Sequence, residues 1–243
     1  VRQIVERAFD LSGILEIGPG PGILTSQLAQ WDRKLTALEL DSRMIPALAE
    51  SAPYADVRQI DALHANFSAL LDELPQPRGI VGNLPYYITA PLIDRIAAAR
   101  NHYAKAILMI QKEVADRICA LPGDGARGSI SVYLQALFDI ETVAKVGPEA
   151  FDPPPKVRST VLEFRPKAAA EGASEELFRL VRLAFAQPRK TLANNLMAGL
   201  KLDRTSVAYA IESASLRPDA RPHQLTELEW VTVARALSDQ TTT

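Results

Sequence analysis

The chain has 243 residues, 47% apolar and 23% charged, with a formal net charge of −2 at pH 7. These values exclude a disordered acidic tail, a collagen-like chain and a disulfide scaffold, and the length admits one large domain or two small ones. No apolar run exceeds about five residues, far short of a bilayer span, and the single cysteine, Cys119, allows no intramolecular disulfide, which points to a reducing, cytoplasmic setting.

The chain opens at Val1 without a methionine, so a further N-terminal segment is expected ahead of it. Gly13 to Gly18 reads as a short buried strand ending in glycine, and Ile23, Leu24, Leu28 and Trp31 have helical spacing. Lys34 to Leu40 predicts a second strand with a helix from Met44, and Asp56 to Ile60 a third strand. Arg78 to Gly82 predicts a fourth, followed by a helix over Ala90 to Arg100 with Pro91 in its first turn. Lys105 to Ile110 reads as a fifth strand, and a helix is expected to begin near Glu113 and to carry Cys119 as a buried structural thiol. Strands alternating with helices predict an α/β fold with a mostly parallel sheet covered on both faces. Phe138 to Val146 and Val157 to Phe164, joined by a loop with Pro153 to Pro155, are expected to add an antiparallel edge.

Lys167 to Ala173 reads as a linker, and strand signals vanish beyond it. Ser174, Glu175 and Glu176 open a helix with an apolar face at Leu177, Val181, Ala184 and Phe185. Thr226 and Glu229 form a capping-box pattern ahead of Trp230, Val233, Ala234 and Leu237, and Thr241 to Thr243 is a tail. The expected organisation is a larger domain over residues 1–167 and a small all-helical domain over 168–243. Charge separates in the same sense: Gly13 to Arg100 holds ten acidic and seven basic residues, Lys156 to Arg204 ten basic and five acidic.

The first strand runs into Glu16-Ile17-Gly18-Pro19-Gly20-Pro21-Gly22. Glycines let a backbone approach a ligand closely, and in an open α/β sheet this turn lies at the carboxyl edge of the strands, where ligands bind. The Gly-x-Gly-x-Gly spacing is not the six-residue spacing suited to a pyrophosphate. Glu39 ends the second strand, where a carboxylate can accept ribose hydroxyls. Asp61, followed by Ala62, ends the third, where an acceptor can meet an adenine amino group. Three carboxylates at successive strand ends favour a nucleoside ligand.

Gly82-Asn83-Leu84-Pro85-Tyr86-Tyr87 follows the fourth strand. A planar amino nitrogen is a poor nucleophile because its lone pair is delocalised into the ring. Acceptors that hold its hydrogens out of the ring plane restore reactivity, and the Asn83 side-chain oxygen and the Leu84 carbonyl are suited to that task. Pro85 stiffens the turn, and Tyr86 offers a face on which an extruded base stacks. His64, His102 and His223 lie far apart without metal-ligand spacing, so no metal is expected. Cys119 has no cysteine partner, which favours methylation at nitrogen over chemistry through a cysteine adduct.

Together these segments resemble the signature of the ribosomal RNA adenine dimethyltransferases. Ala150 to Ser159, with Phe151 and the prolines, resembles the Phe-x-Pro-x-Pro loop of the small-subunit branch, and Phe185 to Leu196 resembles the start of the family's helical domain. The resemblance covers nearly the whole chain. It implies a Rossmann-like domain that uses S-adenosylmethionine and no metal, and that dimethylates N6 of two adjacent adenosines near the 3′ end of 16S rRNA in the immature small ribosomal subunit. It implies a donor site of Glu16, Gly18, Gly20, Glu39, Leu40, Asp61, Ala62 and Asn83. Asn83, Leu84 and Tyr86 would hold the target base, with Phe151 flanking it. Lys156, Arg158, Arg189 and Lys190 would meet RNA phosphates. The family's upstream Gln-x-Phe-Leu-like segment does not occur in these residues, and Pro188 stands where a basic residue is common.

Three other readings compete: a 23S rRNA methyltransferase of the antibiotic-resistance type, a noncatalytic small-subunit assembly factor, and an NAD-dependent oxidoreductase. The triple-proline loop opposes the first, the intact Asn83 and Tyr86 the second, and the glycine spacing the third. The absence of heptads or a self-association stripe makes a monomer without membrane attachment the expected state.

Overall fold

The computed structural model describes residues 1–30, 33–151, 153–168 and 174–239. The expectations at Trp31, at residues 169–173 of the linker and at Thr241 to Thr243 lie outside them. A single seven-stranded sheet runs in the order β3-β2-β1-β4-β5-β7-β6, with β1 Gly13–Ile17, β2 Lys34–Glu39, β3 Asp56–Gln59, β4 Arg78–Asn83, β5 Lys105–Gln111, β6 Phe138–Val146 and β7 Ser159–Pro166. The first five pair in parallel, and β7 runs antiparallel to β5. Every residue of β1 is buried, as a central strand covered on both faces requires.

The helices that alternate with these strands are α1 Arg2–Arg7, α2 Ile23–Leu28, α3 Ile45–Ser51, α4 Phe67–Asp72, α5 Thr89–Ala98, α6 Lys112–Cys119 and α7 Ser129–Leu137. They are followed by α8 Glu175–Ala184, α9 Leu192–Leu200, α10 Arg204–Ser213 and α11 Glu227–Asp239. One core joins Ile4, Ala8 and Leu11 near the N-terminus to Ile14, Leu28, Leu35, Val81 and Ile107. The backbones pack tightly here: a Cβ on Gly13 would sit 2.6 Å from the Pro75 carbonyl oxygen. Cys119 is half-buried on α6 rather than fully enclosed.

Two compact units result, one of Val1–Ala115 with Asp139–Pro166, the other of Asp116–Phe138 with Lys167–Thr243. The second therefore takes in a stretch that the sequence reading assigned to the larger domain. The reason is packing: Val132 of α7 lies in the same core as Leu180, Leu196, Val207, Trp230 and Val233, and the Tyr133 ring meets Phe178 edge-on at 4.5 Å. Arg127, with a fully buried side chain, reinforces this unit by donating to the Ala120 carbonyl at 2.7 Å and pairing with Glu227 at 3.0 Å. The capping box at α11 forms as expected, Thr226 N–H donating to the Glu229 carboxylate at 2.7 Å and Glu229 N–H to Thr226 Oγ1 at 3.2 Å. Among the described residues no helix is long and apolar enough to cross a membrane.

Candidate active site

The carboxyl ends of β1 to β4 converge on one edge of the sheet. Gly18, Gly20 and Gly22 all have positive φ, at 65°, 56° and 88°, so the turn after β1 uses the backbone region where glycine carries no steric cost. This turn is tied to the next strand by Glu39. Its Oε2 accepts the Gly20 N–H at 3.0 Å and its Oε1 accepts the Asp41 N–H at 2.8 Å. Glu39 is 8% exposed, so two backbone donors orient a nearly buried carboxylate, and each oxygen keeps a lone pair for a further donor.

A cleft of about 190 Å³ opens beside it. Ile17, Leu38, Ile60 and Leu92 make apolar walls, and Glu39, Asp41 and Asp61 supply carboxylates. Gly18, Leu40 and Ala62 line it as well, together with Pro85, Tyr87 and Ile88 from the segment after β4. Asp61 is held by its own turn, Oδ1 accepting the Leu63 N–H at 2.8 Å and Oδ2 lying 3.1 Å from His64 Nδ1. The Arg43 guanidinium holds the Asp41 carboxyl down to about 2. An apolar slot with carboxylates at its rim matches a nucleoside, whose base is flat and whose ribose and amino groups donate.

Five of the sequence-predicted donor residues thus share one cleft: Gly18, Glu39, Leu40, Asp61 and Ala62. Gly20 acts through its bond to Glu39. Glu16 does not reach the wall. Side chains alternate along a strand, so Glu16 points to the face of Ile14, under α2, while Ile17 turns to the cleft. There it is 1% exposed and its Oε2 has no hydrogen-bond partner. Burial pushes its carboxyl up to about 7; the nearby Thr25 hydroxyl pulls the other way, without a hydrogen bond of ordinary geometry. Sequence reading missed the apolar walls and Tyr87. Ile17, Leu38 and Ile60 were within reach of the same strand-end logic, and Leu92 lies one turn after Ile88.

The segment after β4 adjoins the glycine turn. Ile17 pairs with Gly82 in register, and a Cβ on Gly18 would lie 3.5 Å from the Asn83 carbonyl oxygen and 3.9 Å from Pro85 Cδ. Leu84 N–H donates to the Met109 carbonyl at 3.0 Å, which anchors the turn to β5. Among the described residues, the exposed Asn83 side chain and the Leu84 carbonyl have no hydrogen-bond partner. Tyr86 Oη lies 2.8 Å from Ser159 Oγ at the start of β7, which fixes the tyrosine against the antiparallel strand. Since Ser159 pairs with Gln111 at the carboxyl end of β5, the loop carrying Phe151, Lys156 and Arg158 emerges at this same edge. Asp152 of that loop lies outside the described residues. Lys156 and Arg158 are exposed on the first unit, Arg189 and Lys190 on the second.

Residues 5–237 match the model of a family described as ribosomal RNA adenine dimethylase. The chain belongs to the ribosomal RNA adenine dimethylase family. It is 38% identical to the ribosomal RNA small subunit methyltransferase A of Geobacillus thermodenitrificans, covering 98% of this chain and 86% of the relative. It is also 38% identical to that of Bacillus mycoides, covering 93% and 82%. Among solved structures, a dimethyladenosine transferase from Plasmodium falciparum superposes with a TM-score of 0.80 at 26% identity, covering 99% of this chain and 95% of that one. The 23S rRNA methyltransferase ErmE gives 0.73 at 29%, covering 97% and 96%. The sheet order and the helical unit of this family member are thus those of a Rossmann-like methyltransferase domain with a C-terminal helical region.

Proposed function

We propose that this protein uses S-adenosylmethionine to dimethylate N6 of two adjacent adenosines near the 3′ end of 16S rRNA, acting as a monomer on immature small subunits in the cytoplasm. The observation that carries the reading is the contact between two turns: the glycine turn that borders the nucleoside-shaped cleft touches the segment that offers Asn83 Oδ1 and the Leu84 carbonyl. The small-subunit branch is favoured over the 23S branch by the 38% identity to small-subunit enzymes against 29% to ErmE.

Bound in the cleft, the donor supplies an already activated sulfonium methyl group. Glu39 accepts its ribose hydroxyls and Asp61 its adenine amino group, while the apolar walls take the base. Asn83 Oδ1 and the Leu84 carbonyl accept the two N6 hydrogens of the target adenine and draw its lone pair out of ring conjugation. After the first transfer the methylated N6 sheds one proton to solvent, so a single N6 hydrogen remains and one acceptor suffices to hold it. Tyr86, tethered to Ser159, provides a fixed stacking face, and Phe151 flanks the extruded base. Orientation of this kind is the main contribution that a protein makes when one reactant is already activated. Lys156 and Arg158 on the first unit, and Arg189 and Lys190 on the helical unit, bind RNA phosphates.

The test is methyl transfer from labelled S-adenosylmethionine to immature small subunits, with nucleoside analysis. Dimethyladenosine is expected, and Asn83→Ala should lower kcat by at least about 100-fold, with the loss arising in the chemical step. Product on 23S fragments alone would refute the assignment.

A further inference from the structure

The helical unit holds a second cavity, of about 730 Å³, between α9 and α10. Its floor is apolar, with Met197, Ile211 and Leu216, and Asn194, Arg204 and Glu212 stand around it. Among the described residues none of these three side chains has a hydrogen-bond or ion-pair partner. All three side chains are exposed, so an amide, a guanidinium and a carboxylate are available to a ligand beside the apolar floor.

The geometry points to a binding site for an unpaired nucleotide of the RNA substrate in this cavity. This rests on the RNA-modifying reading above and assigns a contact that reading does not contain. A base needs an apolar surface for its face and mixed donors and acceptors for its edge. Met197, Ile211 and Leu216 offer the first; the Asn194 amide and the Glu212 carboxylate offer the second. Arg204 at the mouth supplies the cation for a phosphate. A lone phosphate would not suit the site, because Glu212 and the apolar floor oppose it. Continuity with the basic surface identifies RNA as the occupant. Arg189 and Lys190 lie in the turn that enters α9, and the cavity wall begins one residue later, at Thr191. That turn is held rigid by the buried Asn195, whose Oδ1 accepts the Gln187 N–H at 3.2 Å and whose Nδ2 donates to the Gln187 and Thr191 carbonyls, both at 3.1 Å.

The experiment uses the full chain, small subunits and protein-free 16S rRNA. Ala208→Trp places a large ring in the cavity from the α10 wall. Arg204→Ala and Asn194→Ala remove polar contacts at exposed positions, so their folding is preserved if the tryptophan is not tolerated. Ala208→Trp should raise Kd for both RNA substrates, and KM for subunits, by about tenfold, the size of one lost stacked base. Donor Kd should be unchanged, because every residue of the donor cleft belongs to the other unit. Arg204→Ala should also reduce the salt slope of binding by about one. Unchanged Kd in a folded Ala208→Trp, or in both smaller variants if it does not fold, would overturn the inference. Weakening confined to intact subunits, absent on protein-free rRNA, would also overturn it, in favour of a protein partner. A wild-type chain that binds rRNA without methylating it refutes the proposed activity while Kd still decides the cavity; one that binds no rRNA refutes both.

Discussion

Glu39→Gln separates the tethering role of one carboxylate from its proposed role in donor binding. Its oxygens accept backbone N–H groups from Gly20 at 3.0 Å and Asp41 at 2.8 Å. Glutamine has one acceptor oxygen, so in either orientation one N–H faces an NH2 group. Leaving such a donor unpaired costs about 1–3 kcal/mol, a fall in Tm of roughly 2–12 °C for a chain of this size. The ribose also loses a charged acceptor, and the glycine turn loses its tether. A combined loss near 2.7 kcal/mol in binding corresponds to about a 100-fold rise in donor Kd. Calorimetric titration with S-adenosylhomocysteine, paired with thermal unfolding, reads both quantities. Glu39→Asp retains the charge but is one methylene too short to reach both N–H groups, so it should fall between the two. A Kd within about threefold of wild type in Glu39→Gln, with Tm unchanged, would refute the reasoning.

Glu16 supplies a pH test. Its carboxyl is raised to about 7 from 4.5, so the native state holds the proton more tightly than the unfolded chain. That contribution is complete below pH 4.5 and is lost as pH rises through 7. Glu16→Gln should abolish this decline, leaving the variant more stable by about 3 kcal/mol above pH 7, as urea unfolding across pH would read. Tyr86→Phe should cost about 1 kcal/mol through the lost Ser159 bond and keep most activity, whereas Tyr86→Ala should remove the stacking face and lower kcat/KM by at least about tenfold in the subunit methylation assay. Trp230→Ala should cost about 3–5 kcal/mol by emptying the centre of the helical core, seen in chemical denaturation, while donor binding at low temperature persists.

Much of the sheet was readable because it depends on local rules. Short apolar runs, glycines after β1 and acids at strand ends mark the carboxyl edge of a parallel sheet wherever the strands fall. Glu39, Asp61 and Asn83 were therefore legible as candidate ligands from position, and the structure brings Glu39 and Asp61 to one cleft. The orientation of Glu16 followed from strand periodicity, which places it opposite Ile17, yet its nearness in the motif suggested a shared pocket. The apolar walls were harder, since Leu38, Ile60 and Leu92 look like ordinary core residues until neighbouring strands bring them to one rim.

Tertiary structure alone decided three matters. Asp116 to Phe138 joined the helical unit because Val132 and Tyr133 pack against α8 and its neighbours, a choice between two cores that an apolar helix pattern does not encode. Glu39 became a tether as well as a candidate ligand because the turn after β1 folds back onto β2. The free polar groups on α9 and α10 share one cavity only because those helices pack against each other. Periodicity and motif spacing are properties of adjacent residues and survive in the sequence, whereas a shared core or cavity is set by long-range packing, which no local pattern records.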